Sequence, residues 1–270
     1  MTISSHTIVC NEERYIWYSL MSIAPYVDKL FVWDTGSTDS TVEIVREVKK
    51  LLGEKLDFRE MGKVSSEELV SLRQKMLDKT DSSWFLVLDG DEVWWGGGIK
   101  KLVKTIKRGE NKLDSIVVPY YNLIGDIYHY QPESAGKYKI DGRLGHISIR
   151  AIKRNIPGLR LTGTYPTEAY VDGSGIALQE REKKSKYFLD IKFLHFTHLI
   201  RSATLSKNRE AIKRERKFKY QLGREFPYDF YYPEVFFRPR PNIVPCPWEK
   251  MDFDFWMKSL VLTQLKKIIP

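Results

Sequence analysis

The sequence predicts an α/β fold: a mostly parallel sheet flanked by helices, followed by a helical and irregular C-terminal extension. Three observations predict it. Short apolar runs alternate with segments of helical periodicity over the first hundred residues, the order that builds right-handed strand–helix–strand crossovers. Two Ser-x-x-Glu pairs, Ser40/Glu43 and Ser65/Glu68, stand before such segments and match the capping box of a helix N-terminus. The run Trp84–Leu88 is apolar at every position, as suits a strand covered on both faces.

His6–Cys10 is the candidate first strand. Ile16, Leu20, Ile23 and Val27 then recur at near-helical spacing, with Glu12 and Glu13 expected in the first turn, where the helix dipole favours acid. Leu30–Trp33 is the second strand, ending at Asp34. The small polar loop Thr35–Thr41 leads into a helix whose buried stripe is Val42, Val45, Val48 and Leu52. Leu56–Glu60 reads as the third strand. The helix opened by Ser65 continues through Leu69, Leu72 and Met76, and Trp84–Leu88 is the fourth strand. Gly96-Gly97-Gly98 lacks the G-x-x-x-x-G-K-[ST] pattern of a phosphate loop and reads as the lead-in to a helix carrying Ile99, Leu102, Val103 and Ile106. Asp114–Ile124 contains a fifth strand, and Asp126–Gly142, rich in Tyr, Gly and Pro, is expected to loop over the site. Ile147–Arg154 and Tyr187–Phe196 read as further strands. Beyond residue 200, Ser206–Leu222 has the composition of a charged, solvated helix, with contact to an anionic surface as the alternative. Phe226–Pro247 reads as an irregular wrap. Asp252–Ile269 reads as an amphipathic helix, either docked on the domain or lying among lipid headgroups.

A chain of 270 residues, 42% hydrophobic, can bury one large domain or a domain with an extension. No apolar run reaches the roughly 18 residues of a membrane span, and no signal-peptide pattern opens the chain. Cys10 and Cys246 are far apart and make no metal-ligand spacing, which fits a reducing, cytoplasmic setting. The net charge of +9, with a pI near 9.3, admits anionic partners: phosphates, nucleic acid or the anionic face of a membrane.

The fourth strand ends in Asp89-Gly90-Asp91-Glu92. Carboxylates at the end of a buried strand repel one another and lose solvation, so either water reaches them or a cation neutralises them. Carboxylate oxygens are hard ligands that select Mg2+ or Mn2+ over Zn2+, and such ions are commonly shared with substrate phosphates. A plain polar turn is the alternative. Asn11, Asp34 and Asp89/Asp91 each lie just past a strand end. Ligands of open sheets bind beyond the carboxyl ends of the strands, so separate strands deliver polar groups to one rim.

T-I-V-x-N-E-E (Thr7–Glu13), W-D-T-G-S-T-D-S-T (Trp33–Thr41) and L-D-G-D-E (Leu88–Glu92) resemble, in order and spacing, the start of family 2 glycosyltransferases of the GT-A fold. The resemblance implies a metal-dependent, inverting transferase. It would move a sugar from a nucleoside-diphosphate sugar, with UDP- or GDP-sugars first in line, to a hydroxyl of a glycan, lipid-linked or small-molecule acceptor. Residues 1–110 would be the nucleotide-binding half and 111–200 the acceptor and catalytic half of one domain, with 201–270 its extension. By the same resemblance Asp34 hydrogen-bonds the base or ribose, with Asn11 and Glu13 in the same nucleotide-sugar site. Asp89 meets the ribose or sugar, and Asp91 binds Mn2+ or Mg2+. Asp39 either joins them or only stabilises its loop and the following helix.

The later segments extend the resemblance. Ile147–Arg154, I-S-I-R-A-I-K-R, resembles the family's R-L-F-R strand, although Ile152 stands at the aromatic position. Arg150 would face a phosphate or the acceptor, or be an exposed strand cation. In Thr162–Tyr170 the family carries a carboxylate as general base. Glu168 is the sole acid of that stretch and the expected catalytic residue, since a base must reach the acceptor hydroxyl proton; a solvated turn Glu is the alternative. His195-Phe196-Thr197-His198 resembles the segment that brings a late His to the metal, His195 first and His198 second, an imidazole suiting Mn2+ better than Mg2+. A satisfied core histidine is the plainer reading. Tyr120, Tyr121, Tyr128 and Tyr130 either stack on a sugar or base or simply pack. Two rivals stand. A sugar nucleotidylyltransferase carries a Gly-rich, basic loop where this chain has Asn11-Glu12-Glu13. A degenerate, non-catalytic fold would bind a sugar nucleotide or RNA, although the acids disfavour nucleic acid. The expected setting is cytoplasmic, with peripheral membrane contact left open.

Overall fold

The computed structural model describes residues 1–109 and 112–268. Strand β1 (Ile3–Val9) leads to helix α1 (Ile16–Ile23), β2 (Lys29–Asp34) to α2 (Thr41–Leu52), and β3 (Leu56–Glu60) to α3 (Ser66–Asp78), before β4 (Trp84–Val87). These four strands are parallel, in the spatial order β4-β1-β2-β3. The chain continues through β5 (Glu92–Trp94), α4 (Gly96–Gly109), β6 (Ser115–Pro119), β7 (Tyr121–Ile124), β8 (Asp126–Tyr130), β9 (Tyr138–Ile140) and β10 (Arg143–Gly145). It then forms β11 (Ile147–Lys153), β12 (Arg160–Thr162), β13 (Ala169–Val171), β14 (Lys186–Phe188) and β15 (Phe193–His195). The last elements are α5 (Leu205–Glu210), β16 (Arg224–Glu225) and α6 (Phe253–Ile268). β11 inserts antiparallel between β4 and β6, and β14 closes the seven-stranded main sheet beside β6. A second sheet has the order β16-β8-β7-β15-β5. The result is the predicted α/β architecture.

The period-2 pattern of the central strands explains the layers. In β2, Leu30 and Val32 pack toward α1 and α2, while Phe31 and Trp33 pack with Leu72 and Met76 of α3. In β4, Trp84 and Leu86 join the first layer and Phe85 the opposite one. Both faces are covered, which is why these strands read as unbroken apolar runs. The α2 stripe is Ile44, Val45 and Val48, with Ile44 taking the place expected for Val42.

Several boundaries differ from expectation for identifiable reasons. The Ser65/Glu68 capping box forms reciprocally, but Ser40 and Glu43 make none: Ser40 N–H donates to Glu13 and Thr41 N–H to Asp39. Glu12 and Glu13 precede α1, whose first hydrogen bond is Ile16 N–H to the Glu12 carbonyl. The apolar run Ser115–Ile124 is two strands in two sheets, broken after Pro119, which has no N–H to continue the ladder. Tyr187–Phe196 likewise divides into β14 and β15 around Leu189–Lys192. Asp126–Gly142 holds β8 and β9 rather than one loop. Ser206–Leu222 is α-helical only up to Glu210 and then makes a single 3-10 turn at Arg214–Lys217, where Arg214 is buried against the site. α6 spans the expected C-terminal helix as far as Ile268; Ile269 lies outside the described residues, as do residues 110 and 111, where the two halves of the domain were divided. Among the described residues no helix is long and apolar enough to cross a membrane.

Candidate active site

A cleft of about 500 Å³ opens at the carboxyl ends of β1, β2 and β4, lined by Val9, Thr35, Gly36, Asp89 and Asp91 and roofed by residues 210–217. The nucleotide-side residues frame it from behind. Asp34 is buried; its Oδ1 accepts the N–H groups of Gly36 (2.9 Å) and Ser37 (3.0 Å), and Ser37 Oγ donates to its other oxygen. Asn11, buried at a φ of 53°, accepts Thr38 N–H on Oδ1 (2.7 Å) and donates Nδ2 to the Lys207 carbonyl (2.7 Å). Glu13 Oε2 accepts Ser40 N–H at 2.9 Å, and Asp39 caps Thr41. The structure therefore brings Asn11, Glu13, Asp34 and Asp39 together as the scaffold of the loop, and the groups presented to the cleft are Thr35, Gly36, Thr38 and Lys63. Gly36 sits at a φ of +90°, and a Cβ there would come 2.9 Å from the Lys63 amide nitrogen, so the loop can press against that segment only with glycine.

The acidic turn after β4 is neutralised from three sides. Arg150, on β11, is buried rather than exposed: it ion-pairs with Glu92 and lies 3.3 Å from Asp89 Oδ2. Burial alone would raise the Asp89 carboxyl, but Arg150 and Arg73 outweigh it and hold the group below its usual value. Glu92, fully buried beside Asp89 and Asp91, is pushed well above the usual carboxylate range by desolvation. Asp91 Oδ2 accepts from Arg201 Nη1 at 2.5 Å and lies 3.6 Å from His195 Nε2. Its burial would raise it, yet Arg201 and His195 hold it well below the ordinary value. The same Arg201 nitrogen reaches Glu12 Oε1 at 2.9 Å, where Arg214 Nη2 also binds at 2.5 Å. Asp89, Glu92 and His195 offer one ligand atom each within 4.8 Å of one another, a carboxylate and imidazole donor set suited to Mn2+. Among the described residues His195 Nδ1 is buried without a hydrogen bond, and Glu92 Oε1 is the atom that faces Arg150.

Glu168 lies before β13 and faces the same cleft. Arg73 of α3 stands between it and the acidic turn, 3.5 Å from Glu168 Oε1 and 4.0 Å from Asp89 Oδ1. Glu168 is thus not a solvated turn residue. His198, by contrast, is turned away from the acids: Nδ1 lies 2.5 Å from the Lys217 carbonyl and Nε2 3.1 Å from Asn122 Nδ2. Both ring nitrogens are taken, so it is the satisfied buried histidine. The four tyrosines also pack instead of lining the cleft: Tyr120 stacks on Phe193, Tyr130 on Phe226, Tyr121 meets Phe226 and Phe230 edge-on, and Tyr128 meets Tyr232. From the Asp126–Gly142 stretch the cleft takes Tyr138.

Burial also gives this region a pH signature. His198 and the core histidine His6, which stacks on Phe85 and lies 2.6 Å from Thr80 Oγ1, are both lowered by desolvation to about 3 from 6.5. The native state then binds fewer protons than the unfolded chain between those values, so stability is lost as pH falls through the window. Thermal unfolding is expected to lose up to about 2.7 kcal/mol per pH unit below pH ~6 from the pair. His198→Gln should flatten the pH profile measured by calorimetry; an unchanged profile would show that His198 is protonated in the fold.

Arg73, Glu92, Arg201, Arg214 and Lys217 were not singled out from the sequence as site residues. Arg73 carried one signal: it falls on the buried Leu69–Leu72–Met76 face of α3, where a guanidinium needs a partner. The arginines beyond residue 200 sit in a stretch whose composition reads as solvated helix, which hides them.

Among curated proteins no sequence matches. Among solved structures the chain is similar to S. aureus TarS residues 1–349 (18% identity, 58% of this chain and 48% of that one, TM-score 0.45). It is also similar to glucosyl-3-phosphoglycerate synthase from Mycobacterium tuberculosis in complex with Mn2+, UDP and phosphoglyceric acid (17% identity, 72% and 70%, TM-score 0.45). The chain spans about half the length of the TarS fragment. The sequence profile described as Glycosyl transferase family 2 matches residues 4–183, a span that includes the strand-end loops, the acidic turn and Glu168. A mostly parallel sheet of the GT-A type, an acidic turn at its rim and a family match over two thirds of the sequence lead to one assignment: the chain belongs to glycosyl transferase family 2.

Proposed function

We propose that the protein is a metal-dependent, inverting glycosyltransferase that carries a sugar from a nucleoside-diphosphate donor to an acceptor hydroxyl, with Glu168 as base. One observation carries this reading: a single guanidinium, Arg73, lies between Glu168 (3.5 Å) and Asp89 (4.0 Å), so the proposed base and the acidic turn line one cleft.

Asp89, Glu92 and His195 would hold Mn2+ or Mg2+, with Asp91 as a further carboxylate. The bound ion supplies charge stabilisation for the leaving nucleoside diphosphate. The chain's own residues do the rest. Thr35, Gly36 and Lys63 form the wall for the nucleoside, a UDP- or GDP-sugar being expected. Arg201, Arg214 and Lys217, all in the cleft lining, offset phosphate charge from the roof. Glu168 accepts the acceptor's hydroxyl proton, and the freed oxygen attacks the anomeric carbon from the face opposite the leaving group. The acceptor is a glycan, a lipid-linked sugar or a small molecule. The two free cysteines accord with a cytoplasmic setting.

A thermal-shift panel of UDP-, GDP-, CMP- and dTDP-sugars, with and without Mn2+, tests the reading. A donor at about a hundred times its dissociation constant should add roughly 2.7 kcal/mol of stability, and one nucleotide should stand out with Mn2+ present. If none stabilises the protein and none is turned over, the transferase reading fails. Salt-dependent RNA binding with no sugar-nucleotide heat by calorimetry would instead support the binding-protein rival.

A further inference from the structure

We propose that α6 seats the protein on an anionic lipid bilayer surface. The helix is anchored on one side only. Phe255 packs on Phe218 (5.8 Å between centroids) and Tyr220 (5.1 Å), Ser259 is fully buried, and Thr263 Oγ1 accepts Leu222 N–H at 3.0 Å. These residues recur at i, i+4 and i+8, a single docking stripe. The other side is apolar and open: Phe253 is 70% exposed, Trp256 41%, Met257 40% and Val261 52%. Their spacing of i, i+3, i+4 and i+8 places them on one face, and the Phe253 and Trp256 rings lie side by side, centroids 6.0 Å apart. A helix apolar on both sides calls for a cover on each.

Charge decides which cover. Residues 201–270 contain 15 Lys and Arg against 8 Asp and Glu; without Arg201 and Arg214, which are buried against Asp91 and Glu12, 13 against 8 leaves this quarter of the chain at +5. Lys250 and Lys258 are exposed at the N-terminal half of the helix, as are Asp252 and Asp254. The two lysine ammonium groups lie over Tyr128 and Tyr220 at 5.7 Å each. An amphipathic surface with Trp and Phe inserted and Lys at its border is what binds an anionic headgroup layer. A second copy fits worse, since a two-fold contact through this face would set a segment of net +5 against itself. The inference does not rest on the transferase reading, because no step uses the cleft.

Co-flotation of the full chain with vesicles provides the test, using phosphatidylcholine alone and phosphatidylcholine mixed with phosphatidylglycerol. The expected result is binding to the mixed vesicles that weakens with salt. Combined Phe253→Ser, Trp256→Ser and Val261→Ser should weaken it about tenfold or more, and Lys250→Glu with Lys258→Glu should also reduce it. All five side chains are exposed, so thermal unfolding should match the parent and separate lost binding from lost fold. No binding to mixed vesicles, equal binding to neutral ones, or an unaffected triple variant overturns the proposal. So does sedimentation of the parent as a dimer that the triple variant converts to monomer, which would assign the face to a second copy.

Discussion

Glu168→Gln is expected to lower turnover by about 10²–10⁴-fold, the range for loss of a positioned general base, while donor binding stays at the parent level. The substitution keeps the size and hydrogen-bonding outline of the side chain and removes only its ability to take a proton. Arg73, 3.5 Å from Glu168 Oε1 and 4.0 Å from Asp89, keeps its carboxylate contact on the acidic turn, so the cleft should hold its shape. A positioning function would move KM or donor affinity; a catalytic one moves kcat and leaves the donor thermal shift intact. Nucleoside diphosphate release, followed at saturating donor, reports kcat directly. Should Glu168→Gln turn over like the parent, another group accepts the proton, or the acceptor arrives already ionised.

How much of this was legible in the residues depends on range. β2 and β4 declared themselves because both faces are covered, so Leu30–Trp33 and Trp84–Leu88 are apolar throughout. The acidic turn, Glu168 and His195 were legible because they stand next to those strands or in a short motif, and the structure does set them around one cleft. Burial of the motif acids was not legible. Asp34 and Asn11 look like ligand-binding groups from their loop position, yet their side chains close the loop itself, because buried backbone N–H groups must find acceptors before any ligand arrives. Nor could local pattern show Arg201 or Arg214, whose partners Asp91 and Glu12 lie 110 and 202 residues away in the chain. Composition alone places such cations in water, and only the fold brings them inside. The split of Ser115–Ile124 into two strands had a local signal, Pro119, outweighed by an apolar run that continues past it.

Arg201→Ala is expected to cost about 3–5 kcal/mol of stability, because removing one partner strands a buried charge; at roughly 2–4 °C per kcal/mol for a chain of this size, Tm should fall by ~6–20 °C. Glu12 keeps Arg214, but Asp91, buried and 2.5 Å from the lost guanidinium, keeps His195 at 3.6 Å and the more distant Lys217. Two further measurements identify the cause. Asp91→Asn in the Arg201→Ala background removes the stranded charge, so the double variant should recover part of the loss, a coupling read from the mutant cycle. Mn2+ should raise the Tm of Arg201→Ala more than that of the parent, since the cation meets a carboxylate no longer held by a guanidinium. On the proposed reading Arg201 and a divalent ion would compete for the same oxygen, and the Arg201 contact fastens the roof segment 201–217 to the acidic turn. Equal Mn2+ shifts in parent and variant would place the ion away from Asp91, on Asp89, Glu92 and His195 alone. An unchanged Tm would mean that water already solvates the Asp91 carboxylate, which the structure buries.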